Sequence, residues 1–117
     1  MKRSVAVLIR RAPFGRVHVA EGLRAASGVA AGFDAHEVTV LFVDDAVHAT
    51  LERADWDALD ITPHVNALVE AEATLVVDES ALVTRGIDPS EVAHGIDIAS
   101  DTDIGRLLTD ADRQMTF

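Results

Sequence analysis

Four short apolar runs in this chain are each followed by residues able to do chemistry. Arg10-Arg11 and then Pro13-Phe14-Gly15-Arg16 follow the first run, and Asp44-Asp45 follow the second. Asp78-Glu79-Ser80 follow the third, and Ser100-Asp101 the fourth. If the runs are parallel strands, these residues share the rim beyond the strands' carboxyl ends, where open α/β sheets bind ligands. Clustered carboxylates suit a hard cation such as Mg²⁺, or a phosphoryl-accepting aspartate. The arginines suit a small anion, held with help from the N-terminus of a following helix. Surface arginines beside an acidic rim also pair with it, and both readings stand at this level.

Several familiar chemistries fail on residue type. A receiver-type phosphoacceptor needs a lysine after its fifth strand, and the only lysine here is Lys2. The dinucleotide and phosphate-loop fingerprints need several glycines or a Gly-Lys pair, and the first loop offers Gly15 alone. His18, His36, His48, His64 and His94 lack close metal-ligand spacing. His18 and His48 each fall shortly after a strand end, where they could meet in space, but solvated or interface histidine is the favoured reading. Ser80, His48 and Asp45 can be drawn as a hydrolase constellation, but no G-x-S-x-G elbow surrounds Ser80. No catalytic residue, metal ligand or cofactor is assigned on this basis.

Composition narrows the field further. The chain has 117 residues, 20 acidic against 10 basic, for a formal charge of -10. At about 100–200 residues per domain, the length predicts one domain spanning residues 1–117. The absence of cysteine excludes disulfides, thiolate nucleophiles, zinc-thiolate and iron–sulfur sites, and a persulfide carried on this chain. A net charge of -10 repels a polyanion, so no direct contact with nucleic acid is expected. No apolar run approaches the roughly 18 residues of a membrane span. Arg10-Arg11 interrupts the only stretch resembling a signal peptide, so a cytoplasmic location is expected. The acid excess fits a high-salt cytoplasm, where a Debye length of about 3 Å at 1 M screens self-repulsion. A GC-rich genome, which favours arginine and alanine codons over lysine, would leave a similar composition.

The hydrophobic pattern supplies the elements that must position these groups. Ser4–Ile9 is a buried-strand candidate, and residues 38–43 are apolar on both faces, as a central parallel strand requires. Between them Ala20, Leu23, Ser27, Ala30 and Phe33 recur at helical spacing, with Gly32 where the helix should stop. Residues 46–59 read as a helix, and Thr62-Pro63 as the N-cap and first turn of another. Residues 74–77 read as a third strand, 81–85 as a short helix, and Ile96–Ala99 as a weak fourth strand. A last helix starts near Asp101 with Ile104, Leu107, Leu108 and Ala111 on one face, before an edge strand at 114–117. The prediction is an α/β domain in three layers, with a five-stranded, mainly parallel sheet covered on both faces.

Four segments, in order, resemble the DsrE/DsrF-like family. Ala12-Pro13-Phe14-Gly15 followed by Glu21-Gly22-Leu23 and Ala25 is similar to its opening loop and helix. Residues 41–47, with Asp44-Asp45-Ala46-Val47, are similar to its strand and Asp-Gly-Val turn. Ser80-Ala81-Leu82-Val83-Thr84-Arg85-Gly86-Ile87 is similar to its short helix ending in Arg-Gly-Leu. Asp112 through Phe117 resembles its final Asp-plus-strand. The nearest subgroup is the cysteine-poor DsrF or TusC type of sulfur-relay subunit.

The resemblance implies a domain that assembles with homologues and serves persulfide relay, in tRNA 2-thiolation or sulfur oxidation. The expected partners are cysteine-bearing DsrE/TusD-like subunits or further copies of this chain, with a small sulfur carrier as another. The relay cysteine of such subunits follows the third strand, which aligns it at or beside Asp78. A carboxylate cannot form a persulfide, so this chain reads as a non-catalytic subunit. Arg10, Arg11 or Arg16 would then steer a partner's anionic persulfide. Phe14 would be an interface anchor or a cover for the chain's own core, and Pro13 and Gly15 would shape the turn. Asp45, Asp78 and Ser80 complete the set of candidate binding or interface residues. Two other readings stay open: a small-molecule or divalent-metal-binding α/β enzyme using Asp44, Asp45 and Asp78, and a homo-oligomer unrelated to sulfur.

Overall fold

A computed structural model describes residues 3–15, 17–32 and 36–117. The elements run β1 (Ser4–Ile9), α1 (His18–Ala30), β2 (Glu37–Phe42), a 3₁₀ segment (Asp44–Thr50), α2 (Thr62–Glu70) and β3 (Thr74–Asp78). They continue with α3 (Glu79–Thr84), a second 3₁₀ turn (Pro89–Glu91), β4 (Ile96–Ala99), α4 (Asp101–Asp110) and β5 (Arg113–Thr116). The sheet has five strands in the order β4-β3-β2-β1-β5. Every pairing is parallel rather than mainly so.

Strand alternation sorts the core onto two faces. On one face Val5, Val7 and Ile9 of β1 join Val38, Val40 and Phe42 of β2, against Leu23 of α1 and Leu68 of α2. On the other, Ala6, Leu41 and Val76 meet Ile104, with Leu107 and Leu108 packed alongside. Thus α1 and α2 cover one side and α4 the other, and the apolar stripe expected of the last helix is the one it buries. A clasp fixes the first and last strands together: Asp112 accepts from the Ser4 amide at 2.9 Å, and the Asp112 amide donates to the Ser4 carbonyl at 2.9 Å.

Two local expectations are corrected. Residues 46–59 do not form a helix: a 3₁₀ segment stops at Thr50, and Leu51 turns extended to make an antiparallel bridge with Val92. The bridge is held from both sides, because the Glu52 amide donates to the Glu91 carbonyl at 2.9 Å and the Ala93 amide to the Thr50 carbonyl at 2.8 Å. Tertiary pairing thereby overrides a helical pattern that lacks a strong apolar stripe. Thr62 is the first helical residue and not the N-cap, which is Ile61; the Thr62 hydroxyl donates instead to Asp57 in the preceding loop. Helix α1 ends at Ala30 with Ala31 as its cap, so Gly32 falls just past the stop, as expected; Phe33 lies outside the described residues.

Candidate functional site

Because all the strands are parallel, their carboxyl ends form one rim. Ile9 pairs with Phe42, Phe42 with Val77, and Asp78 with Ala99, so the residues that follow stand side by side. Arg10, Asp44, Asp78 and Ser100 therefore occupy neighbouring positions, as the sequence led us to expect. The strand order changes direction at β1, whose neighbours are β2 and β5, and the Arg10 amide donates to the Phe117 carbonyl at 2.9 Å there. This is the topological switch point of the sheet.

At this end of the rim the basic and acidic residues meet as pairs. Arg10 Nε lies 3.2 Å from Asp44 Oδ2, with both side chains largely in water. Asp44 leaves β2 with φ of 49°, a left-handed turn that aspartate tolerates better than most residues. Arg11 is exposed, Pro13 is buried under the loop, and Gly15 adopts φ of 66°, which its missing side chain permits. Phe14 covers no core: it is 61% exposed, with its ring centroid 6.1 Å from that of His48. Arg16 lies outside the described residues. His48 thus meets Phe14, and no contact with His18 is found among the described residues.

Asp45 is held by a residue given no role of its own above. Arg85, at the end of α3, donates from Nη2 at 2.8 Å and from Nε at 3.1 Å to Asp45 Oδ1. A third bond, from Nη1 to the Ala81 carbonyl at 3.1 Å, fixes the guanidinium on its own helix. The Arg85 hydrogen bonds and positive charge hold the Asp45 carboxyl below its ordinary value of 3.8, with the nearby His48 adding to the same effect. Arg85 is visible in the sequence only as part of the short helix's ending, since nothing local shows which carboxylate it reaches.

The sign of the consequence follows from linkage. A carboxyl whose pKa is lower in the folded chain stabilises it above the unfolded pKa, and that stability is lost as pH falls through the folded value. Replacing Arg85 by alanine is expected to return Asp45 to the ordinary carboxylate range. The stability gap between the two chains should be widest above the ordinary pKa and should close on acidification. A carbon-detected NMR titration of the Asp45 carboxyl checks the first, and urea unfolding at several pH values the second. The effect should be small and salt-sensitive, because the Asp45 carboxylate is solvent-exposed.

Asp78, Ser80 and Asp101 form the third group. Asp78 caps α3 by accepting from the Ser80 amide at 3.2 Å. The Ser80 hydroxyl lies 2.7 Å from Asp101 Oδ1 and 3.1 Å from Asp78 Oδ1. One hydroxyl proton cannot serve both carboxylates at once. Burial pushes the Asp78 carboxyl up, and the Asp101 carboxylate adds to the rise, against the Ser80 hydrogen bonds that oppose it. Beside them Ser80, Val83, Ser100, Asp101 and Thr102 line an open cleft of about 470 Å³. Ser80 therefore bonds to aspartates and not to His48, which removes the hydrolase constellation. No group of three His, Asp or Glu side chains suited to a metal ion occurs among the described residues.

The sequence profile of the DsrE/DsrF-like family matches residues 3–117. The chain belongs to this family. Members generally act in multi-subunit complexes, and membership ties the chain to sulfur-relay function in general terms. The ychN protein from E. coli has a similar structure, with a TM-score of 0.82 at 21% identity and 100% of each chain covered. The protein of unknown function MTH1491 from Methanobacterium thermoautotrophicum is similar with a TM-score of 0.77 at 14% identity, again over 100% of each chain. Both likenesses are of fold. No curated protein matches the chain in sequence. No helix among the described residues is long and apolar enough to cross a membrane.

Proposed function

We propose that this DsrE/DsrF-like chain is a non-catalytic, cysteine-free subunit of a sulfur-relay complex, acting in the cytoplasm through assembly. Its role is to complete an oligomer and to shape the site around a cysteine-bearing homologue's persulfide, in tRNA thiolation or sulfur oxidation. The observation that supports this reading is chemical. The chain has no cysteine. At the carboxyl end of β3, where we align the relay cysteine, stands Asp78, next to Ser80 and near the Asp101 carboxylate. Negative charge there disfavours a bound persulfide anion as well as failing to form one.

Among the described residues, Phe14 and Arg11 on the opposite part of the rim stay available for a partner. Phe14 is exposed with its ring beside that of His48, an aromatic anchor of the kind enriched at interfaces. Arg10 is engaged by Asp44, so of the two arginines of this loop among the described residues Arg11 is better placed to face an anionic persulfide. The rival enzyme reading is disfavoured by the same pairs, since Asp44 and Asp45 each commit a carboxylate to an arginine.

Affinity purification of the chain from its native cell, at native salt, tests the assignment. A small homologue with a cysteine after its third strand is expected to co-purify, and Phe14→Ala should weaken its retention by about tenfold, the loss typical of a truncated hot spot. Radiosulfur from a cysteine desulfurase should label that homologue and not this chain. Recovery of the chain alone, or with partners lacking such a cysteine, overturns the relay reading. Micromolar Mg²⁺ or Mn²⁺ binding abolished by Asp78→Ala would favour the enzyme instead.

A further inference from the structure

A second candidate site stands apart from the rim, and its residues enter above only through the loop contacts of Glu52, Ala93, Asp57 and Thr62. Where the connection from β2 to α2 crosses the connection from α3 to β4, a cleft of about 490 Å³ opens beside the Leu51–Val92 bridge. Trp56 forms part of its wall, with its Nε1 donating to the Ala49 carbonyl at 2.9 Å and its ring packed against the core. The indole is therefore held in place before any ligand arrives, so binding to it costs little ordering.

The charges around this wall are one-sided. Glu52, Asp55 and Asp57 line the cleft with Thr62 and His94, and no lysine or arginine among the described residues does. Arg53, adjacent in sequence to Glu52, is turned to Glu91 instead. Asp57 accepts from Thr62, and Asp55 accepts from the Ala58 amide at 3.1 Å, which shapes the loop. The Glu52 side chain makes no such bond to another described residue. Among the described residues no three His, Asp or Glu side chains converge as metal ligands would, so a hydrogen-bonding organic cation suits the cleft better than a metal ion.

We propose that this cleft binds a guanidinium group, stacked on Trp56 and hydrogen-bonded through its N–H edge to Glu52. A guanidinium combines the needed features: a flat, weakly hydrated face that lies on an indole, and a donor fork that fits a carboxylate. Asp55 and Asp57 add attraction without direct contact. The group can arrive on a free small molecule or on an arginine side chain of another protein, and the chemistry of capture is the same.

The chain reports on this site by itself, because Trp56 is its only tryptophan and it has no tyrosine. Its fluorescence is followed at low ionic strength and pH 8 while agmatine, or a blocked arginine tripeptide, is added. A saturable change is expected with both, and citrulline amide, which replaces the guanidinium by a neutral urea of the same shape, should give none. The tighter of the two guanidinium ligands then identifies a small-molecule or a protein source. Glu52→Gln should weaken binding by about tenfold. Circular dichroism shows whether that variant keeps its fold, and Asp55→Asn replaces it if not. No saturable change, an equal response to citrulline amide, or full binding by the folded variants overturns the proposal. Because none of these outcomes involves a sulfur-relay partner, the site stands or falls independently of the subunit role.

Discussion

An Asp78→Cys chain is expected to carry a sluggish thiol, alkylated by iodoacetamide at neutral pH more slowly than free cysteine. Adding Asp101→Asn should then speed the reaction by up to about tenfold, the effect of one pKa unit on the thiolate fraction. Two influences compete at this position. The first amides of α3, which bond Asp78 through Ser80, favour a negative charge. Burial and the Asp101 carboxylate oppose it. Asp78 already shows which side prevails, because its carboxyl is raised despite the Ser80 bonds. A thiol in the same place meets the same field, and its anion is larger. With no other cysteine in the chain, every alkylation event belongs to this position. Equal rates with and without Asp101→Asn would show that Asp101 does not govern the site. The experiment also bears on the proposed subunit role, since it separates loss of the sulfur atom from loss of the environment that activates it.

Substituting two glycines of α1 by alanine is expected to move stability in opposite directions. In an open helix position the exchange gains about 1 kcal/mol, from lower backbone entropy in the unfolded chain. Gly28 is such a position, with nothing within 4 Å of the methyl group that alanine would add, and Gly28→Ala should realise most of that gain. Gly22 faces the sheet. A methyl there would meet Cδ1 and Cγ1 of Ile9 at 3.0 Å, and Cδ2 of Phe117 at 3.3 Å. Ile9 is 0% exposed at the end of β1 and has little room to give way. Overpacking of this kind costs about 1–3 kcal/mol, so Gly22→Ala should lose up to about 2 kcal/mol net. Urea unfolding of both variants decides it, and stabilisation by both would mean that Ile9 and Phe117 shift freely. The contact also explains the role of the glycine: it lets α1 settle onto β1 close to the switch point, where the first loop presents Phe14.

The pattern of legibility along the chain has physical reasons. Strands β1, β2 and β3 are read from the sequence because burial on both faces demands continuous apolar runs, and such runs are short and bounded here. Helix α4 is read because it alone covers its face, which forces a clean stripe through Ile104 and Leu107. The segment after β2 misleads because residues 46–59 contain enough alanine and leucine to look helical. Their backbone is claimed instead by a distant partner, Val92, which no local pattern reveals. Thr62 has the residue type of a cap, but its hydroxyl finds Asp57.

The candidate site divides in the same way. Placement of Arg10, Asp44, Asp78 and Ser100 on one rim follows from parallel strands alone, since each residue lies at or just past a strand end. Pairing does not follow. Asp45 meets Arg85 across 40 positions of sequence, and Ser80 meets Asp101 across 21, because α3 and α4 both start from the rim. A sequence lists charges in order along a chain, whereas hydrogen bonds form between neighbours in space.

Residue types and their periodicity are enough to say which chemistry this chain lacks and which layers it builds. Having no cysteine bars persulfide on this chain whatever its fold, because that property belongs to the side-chain inventory. The alternation of apolar runs and helical stripes determined the α/β architecture, because burial acts through periods of two and 3.6 residues that any chain must display. It takes the folded arrangement to show that Phe14 stands in solvent, that Arg85 restrains Asp45, and that Trp56 walls an acidic cleft at a crossing of two loops. Those facts depend on contacts between distant segments, and a contact has no local signature.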